Sequence, residues 1–217
     1  MISNPPVREI KTTNRSVSGY VPSIGRYESS LERDMFEILR FDDVVESISP
    51  QPLTIEYEDD YGRKRKYTPD GLITFCHDFE QIPILYEIKY RQDFRSDWKN
   101  LLRKFRAAKE FCMNAHFEFH VYTENEIRTP YLQNVKFLWS FKNREFTKNI
   151  VKQVLSVLSD LDEADINLLL FSLARDANNR AALIPCIWHL ISHKKIGCDL
   201  STPLNMNSHI WSIGATE

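Results

Sequence analysis

The sequence predicts an α/β protein, a core with a central mixed sheet flanked by helices, followed by a small helical domain. Two patterns carry this expectation. Between about residues 29 and 140, apolar residues alternate between helical spacing and short strand-like runs, in the order helix, three strands, helix, strand, strand. Past about Phe146 the composition shifts to Leu, Ile, Ala, Asn and Asp at helical spacing alone. Hydrophobic residues make up 42% of the 217, aromatics 12% and charged residues 27%, the balance of a globular chain rather than a disordered or fibrous one. No apolar run approaches the roughly 18 to 20 residues of a membrane span, and MISNPPVREIKTTNRS lacks the apolar core of a signal peptide. Cys76, Cys112, Cys186 and Cys198 contain no CxxC pair and fit a reducing cytoplasm.

Residues 1 to 25 read as an extended basic arm. Arg8, Lys11, Arg15 and the adjoining Arg26 face Glu9 alone, and Pro5, Pro6, Gly19, Pro22 and Gly25 interrupt regular structure. Leu31, Met35, Ile38 and Leu39 recur at helical spacing, which predicts a helix from about Ser29 to Phe41 with a serine cap. PLTIEY (52–57), KYTPDGLITF (66–75) and IPILYEIKY (82–90) read as strands. Phe94, Trp98, Leu101, Leu102, Phe105, Ala108 and Cys112 then mark one face of a helix, with Arg95, Lys99, Arg103 and Arg106 as a basic stripe on another. HFEFHVYT (116–123) and VKFLWS (135–140) read as further strands, reached by crossover.

IVKQVLSVLSDL, EADINLLLFSLA and RAALIPCIWHLIS predict three helices, after which two short apolar runs flank a turn-rich segment. Three helices followed by a hairpin is the order of a winged helix. The expected organisation is an arm over 1–25, a core domain over 26–145 and a winged-helix-like domain over 146–217.

The candidate chemistry lies in the strands. Asp70 follows Pro69 at the start of a run, and Glu87 and Lys89 stand two apart in a strand, so their side chains leave the same face. Two carboxylates and an ammonium at adjacent strand ends suit divalent-metal phosphodiester hydrolysis. Hard oxygen ligands hold Mg²⁺, the metal polarises the phosphate and acidifies water, and the lysine orients that water or stabilises developing charge. Taken alone, E-x-K is more often a surface Glu–Lys pair. Glu32 adds weight: at about 100° per residue it falls inside the apolar arc of its helix, between Leu39 and Phe36. A capping box, Ser29-x-x-Glu32, is the other explanation, and Glu28, one turn earlier, is the rival carboxylate.

Net charge is only −2, so a nucleic-acid signal has to be local. An acidic stretch from Asp42 to Asp60 runs directly into Arg63, Lys64, Arg65 and Lys66. Alone, that run reads as a solvated hairpin tip; together with Arg95, Lys99, Arg103 and Arg106 it flanks the candidate chemistry and marks where DNA would lie. Cys186, His189, His193 and Cys198 have spacings imaginable as a zinc site, yet the first three also form an ordinary core stripe on one helix face.

YESSLERDMFEILRF, IEY, YTPDGLITF and LYEIKY resemble the N-terminal domain of TnsA-type transposon endonucleases, over roughly residues 1–140. That family belongs to the restriction-endonuclease-like superfamily with its PD…(D/E)xK motif, and the resemblance implies that fold. It makes Glu32 the helix glutamate, Asp70 the metal-binding aspartate, Glu87 the variable acidic position and Lys89 the catalytic lysine. It implies Mg²⁺, with Mn²⁺ able to substitute, held by Asp70, Glu87 and Glu32. It also implies double-stranded DNA at transposon ends as substrate, cut at the 5′ ends during cut-and-paste transposition in the bacterial cytoplasm. A TnsB-type DDE transposase and a TnsC-type AAA+ ATPase are the implied partners.

Short chains of this kind also resemble members from CRISPR-associated transposons. Two alternatives stay open: a restriction-like nuclease in defence or repair, and a catalytically silent assembly module. From residue 144 on, seven basic side chains face eight acidic ones, which favours protein docking over DNA reading by the C-terminal domain.

Overall fold

Residues 18–22 and 24–214 are described in the computed structural model, and most of the basic arm expected over 1–25 lies outside them. The chain divides between Arg128 and Thr129 into two units.

The first unit opens with a short antiparallel pair, β1 (Gly19–Val21) and β2 (Gly25–Tyr27). Helix α1 (Ser30–Phe41) follows, started by Ser29, whose side chain accepts from the Glu32 N–H. Leu31, Met35, Phe36 and Leu39 bury its apolar face. Next come β3 (Val45–Pro50), the hairpin of β4 (Ile55–Glu58) and β5 (Lys64–Tyr67), and β6 (Gly71–Phe75). A 3₁₀ turn at His77–Phe79 leads to β7 (Ile84–Ile88), α2 (Arg91–Ala115), β8 (Glu118–Tyr122) and the single turn α3 (Glu124–Ile127).

Strands β3, β6, β7 and β8 form one mixed sheet in that order. The first three pair antiparallel, while β8 runs parallel to β7 because α2 carries the chain across between them. Two apolar clusters pack in this unit. One joins α1 to Ile48, Ile73, Tyr86 and Ile88; the other joins Ile55, Tyr67 and Leu85 to Ala108 and Cys112 of α2. The expected α/β core with a central mixed sheet is thus what forms. Strand β3 lies outside the expected strands, and the run expected as one strand over 66–75 divides into β5 and β6.

Trp98 and Leu102, expected on the core face of α2, are 55% and 39% exposed. Leu102, about 100° around the helix from the buried Leu101, falls at the edge of the buried arc, and Trp98 directly follows Asp97, which leaves helical geometry at φ −133° and ψ 25°. Phe94 and Phe105 do pack together, with ring centroids 5.8 Å apart, and Phe105 continues onto Phe119.

The second unit begins with α4 (Pro130–Lys142), then α5 (Lys148–Leu161), β9 (Glu163–Asp165), α6 (Ile166–Leu173), α7 (Ala177–Ser192), β10 (Ile196–Cys198) and β11 (His209–Ser212). VKFLWS, expected to be a strand, lies within α4. Pro130 at the first helical position starts that helix, and Leu132, Val135 and Leu138 bury at helical spacing. Strands β10, β11 and β9 close a three-stranded antiparallel sheet. The expected boundary at 145/146 falls in the connection between α4 and α5.

Candidate active site

Three chain segments carry the candidate side chains: the start of α1, the turn into β6 and the end of β7. Gly71 pairs with Tyr86, and a Cβ at Gly71 would sit 2.2 Å from the Tyr86 ring, so only glycine lets the two strands meet there. One step along the same ladder, Asp70 and Glu87 come side by side. Asp70 Oδ2 accepts a 2.7 Å hydrogen bond from the Ile88 N–H. Glu87 is buried, with Oε2 accepting 2.7 Å from the Tyr67 hydroxyl.

Lys89 closes the group. Its Nζ lies 3.0 Å from Glu87 Oε1 and 3.6 Å from Asp70 Oδ2, and donates to the Ile88 carbonyl at 3.2 Å. Burial and the nearby Glu87 charge push the Asp70 carboxyl up to about 8, and the Lys89 charge does not fully offset them. Burial by itself would lower Lys89, but Asp70 and Glu87 outweigh it and hold the ammonium above its ordinary value. The Tyr67 hydroxyl is raised by burial and by the Glu87 charge, so it stays a donor.

Glu32 is held in the helix start. Oε2 accepts from the Glu28 N–H and Oε1 from the Ser29 hydroxyl, both at 2.9 Å, so its carboxylate reaches one residue beyond an ordinary capping box. Burial raises it, while the Lys89 charge pulls the other way.

Lys89 therefore touches two carboxylates and a backbone carbonyl with one ammonium. Such a set of hard oxygens fits a divalent cation of the Mg²⁺ or Mn²⁺ type. Among the described residues, no three or more His, Cys, Asp or Glu side chains are grouped to hold a metal, which leaves Asp70 and Glu87 as the paired side-chain donors and Glu32 tied to its cap.

Two family models match the chain in order: TnsA-like endonuclease N terminal over residues 42–124, and TnsA endonuclease C terminal over residues 126–200. The chain belongs to the TnsA-type endonuclease family. It carries both domains of a transposon-associated endonuclease. Asp70, Glu87 and Lys89 fall inside the first TnsA match, and Glu32 precedes it. A comparison with curated proteins finds no match.

The basic residues of this TnsA-type chain are less free than the sequence suggests. Arg63 and Arg65 both bind Asp59 Oδ2, at 2.9 and 3.1 Å, and Lys66 reaches Glu56 at 3.3 Å across the β4–β5 hairpin. Burial opposes the shift, but the Arg63 and Tyr61 N–H groups and both guanidinium groups hold Asp59 down at about 2. Lys64 stands opposite Glu58 in the same ladder. The run is a strand of the hairpin rather than its tip. Arg103 pairs with Asp60, while Arg95, Lys99 and Arg106 are exposed on α2.

The zinc spacing resolves otherwise. His189 Nδ1 meets the Phe141 carbonyl at 3.1 Å and His193 Nε2 the Lys142 carbonyl at 2.8 Å, so both rings satisfy the C-terminal carbonyls of α4. Cys186 is buried. Three residues of the site were not legible in sequence: Tyr67, the Ile88 carbonyl and the buried Gln51. The alternation around Tyr67 could have placed its ring; nothing local marks the other two.

Proposed function

We propose that this chain is a Mg²⁺-dependent DNA endonuclease that cuts the 5′ ends of a transposon during cut-and-paste movement in the bacterial cytoplasm. The observation that carries this reading is Lys89 bridging Asp70 and Glu87 within a TnsA-type core. When bound, the divalent cation, Mg²⁺ or Mn²⁺, would polarise the scissile phosphate and acidify water. Asp70, Glu87 and the Ile88 carbonyl would hold it, and Asp70, whose carboxyl is raised by burial and the Glu87 charge, would serve as a ligand in its ionised form.

Lys89 keeps its proton and turns from the carboxylates to the substrate, orienting water and stabilising charge on the phosphate. Tyr67 fixes one Glu87 oxygen, leaving the other for the site. Glu32, held in the helix cap by the Glu28 N–H and the Ser29 hydroxyl, would add its charge to the site from there.

DNA lies along the exposed cations of α2, Arg95, Lys99 and Arg106, with the β5 basic residues Lys64, Arg65 and Lys66 beside Arg63 and Arg103 exchanging their carboxylate partners for phosphate. The second unit is proposed to bind protein. Its strand and helix order supports a winged-helix-like reading, and a groove of about 810 Å³ gathers Lys148, Lys152, Lys194 and Lys195 around Val151 and Leu155, with no carboxylate among the described residues that line it. A TnsB-type transposase and a TnsC-type ATPase are the proposed partners.

The test is a strand-specific cleavage assay on transposon-end DNA with the chain, transposase and ATPase together. Mg²⁺-dependent cuts at the 5′ ends that vanish with Lys89→Ala support the reading. Retention of those cuts in Lys89→Ala contradicts it.

A further inference from the structure

We propose that Gln51 is a positioning residue of this site, the joint that holds the carboxylates at the start of α1 against Asp70. The inference rests on the nuclease reading above. Gln51 follows β3, between Pro50 and Pro52, and stands beside Asp70 where the β3–β6 ladder ends.

Its conformation is costly in two ways. The backbone sits at φ 47°, a region that a non-glycine residue rarely takes and that proline at the next position further disfavours. The residue is 7% exposed, and its Oε1 has no hydrogen-bond partner among the described residues. Such costs persist where the surrounding structure over-determines a residue, typically at functional sites.

The bonds it makes are specific. The Gln51 N–H donates to the Asp70 carbonyl at 3.0 Å, and Nε2 donates to Glu28 Oε1 at 3.2 Å. The Glu28 N–H in turn donates to Glu32 Oε2 at 2.9 Å. From Asp70 the chain of bonds continues through the Ile88 N–H and Lys89 to Glu87 and Tyr67. Gln51 is thus the point at which the bonds of the helix carboxylates meet those of the sheet carboxylates. The left-handed backbone turns the residue so that its amide serves the helix while its N–H serves the strand. A displacement of about 1 Å in such a group lowers rates on the order of a hundredfold.

Gln51→Gly separates the two roles, because glycine accepts the positive φ while losing the amide. Gln51→Asn keeps a shorter amide. The full chain is tested by thermal melting, calorimetric Mn²⁺ titration and 5′-end cleavage in the complete reaction. Gln51→Gly should melt at or above the wild-type temperature, bind Mn²⁺ about tenfold more weakly and lose at least about tenfold in kcat with KM for DNA unchanged. Gln51→Asn should recover part of both losses. Glu28→Ala alone should weaken Mn²⁺ binding and kcat in the same direction, and combined with Gln51→Gly it should cost less than the product of the two single losses, since both cut the same connection. Wild-type Mn²⁺ affinity and kcat in Gln51→Gly, or losses that multiply in the double variant, would overturn the proposal while leaving the nuclease reading intact. A wild-type chain that neither binds Mn²⁺ nor cuts would instead remove the nuclease reading and this proposal with it.

Discussion

The Tyr67 hydroxyl donates a 2.7 Å hydrogen bond to Glu87 Oε2, tying the edge of the β4–β5 hairpin to the centre of the main sheet. Tyr67 and Glu87 are both buried, so the bond has no ready replacement from solvent. Tyr67→Phe keeps the ring and removes the donor. We expect a loss of about 1–3 kcal/mol in stability, the cost of leaving a buried acceptor unmatched, and a slower cleavage rate. Urea unfolding of the two proteins checks it; equal midpoints and equal rates would show that the bond orients nothing.

The pH dependence of stability has a definite sign. Asp70 is raised from an ordinary 3.8 to about 8 in the folded chain, so the native state holds this proton more tightly than the unfolded one does. Its contribution is fully present below about pH 4 and is lost as pH rises towards 8. Asp70→Asn, which cannot ionise, should therefore melt higher than the metal-free wild type at pH 8. The advantage should shrink towards pH 4. At this chain length each 1 kcal/mol corresponds to about 2–4 °C. Melting curves across that range check it, and a pH-independent difference would refute the linkage.

Glu32 and Glu28 can be told apart by amide substitution. Glu32→Gln keeps one acceptor and loses the other of the two 2.9 Å bonds, so stability should fall by about 1 kcal/mol or less. Cleavage should nevertheless stop, because the proposed role of Glu32 needs its carboxylate charge. Glu28→Gln keeps the oxygen that meets Gln51 and should be mild. The reverse pattern in a cleavage assay would move the role one helical turn.

How far the sequence could be read depends on the range of the interaction that decides each feature. Asp70, Glu87 and Lys89 were legible because strand alternation is a local, period-two property and because Pro69-Asp70 opens a strand. VKFLWS has strand composition, yet its helix is set by Pro130 at one end and by burial of Leu132, Val135 and Leu138. Gln51 and Tyr67 act on residues 19 or more positions away through space, and no periodicity encodes such a partner. PLTIEY reads as a strand in the sequence, but the basic run at Arg63 looked free because periodicity does not show that Glu56 pairs with Lys66 and that Asp59 takes both Arg63 and Arg65.

Salt dependence separates the two groups of cations. Arg95 and Lys99 are exposed on α2, whereas Arg63 and Arg65 share Asp59. Replacing Arg95 and Lys99 with Ala should reduce the slope of log affinity against log salt by about one for each phosphate that is no longer neutralised. Arg63→Ala should change it less, because the carboxylate competes for that cation. Filter binding at several salt concentrations checks it; equal slopes for all variants would place DNA elsewhere.

The most direct test is Asp70→Ala, assayed for Mg²⁺-dependent 5′-end cleavage beside a circular dichroism spectrum. Asp70, the proposed ligand, is partly buried, with its side chain 19% exposed, and belongs to neither apolar cluster, so the fold should survive its loss. The result expected is a folded chain with no cleavage above background. A folded Asp70→Ala chain that still cuts the 5′ ends would contradict the assignment of this site.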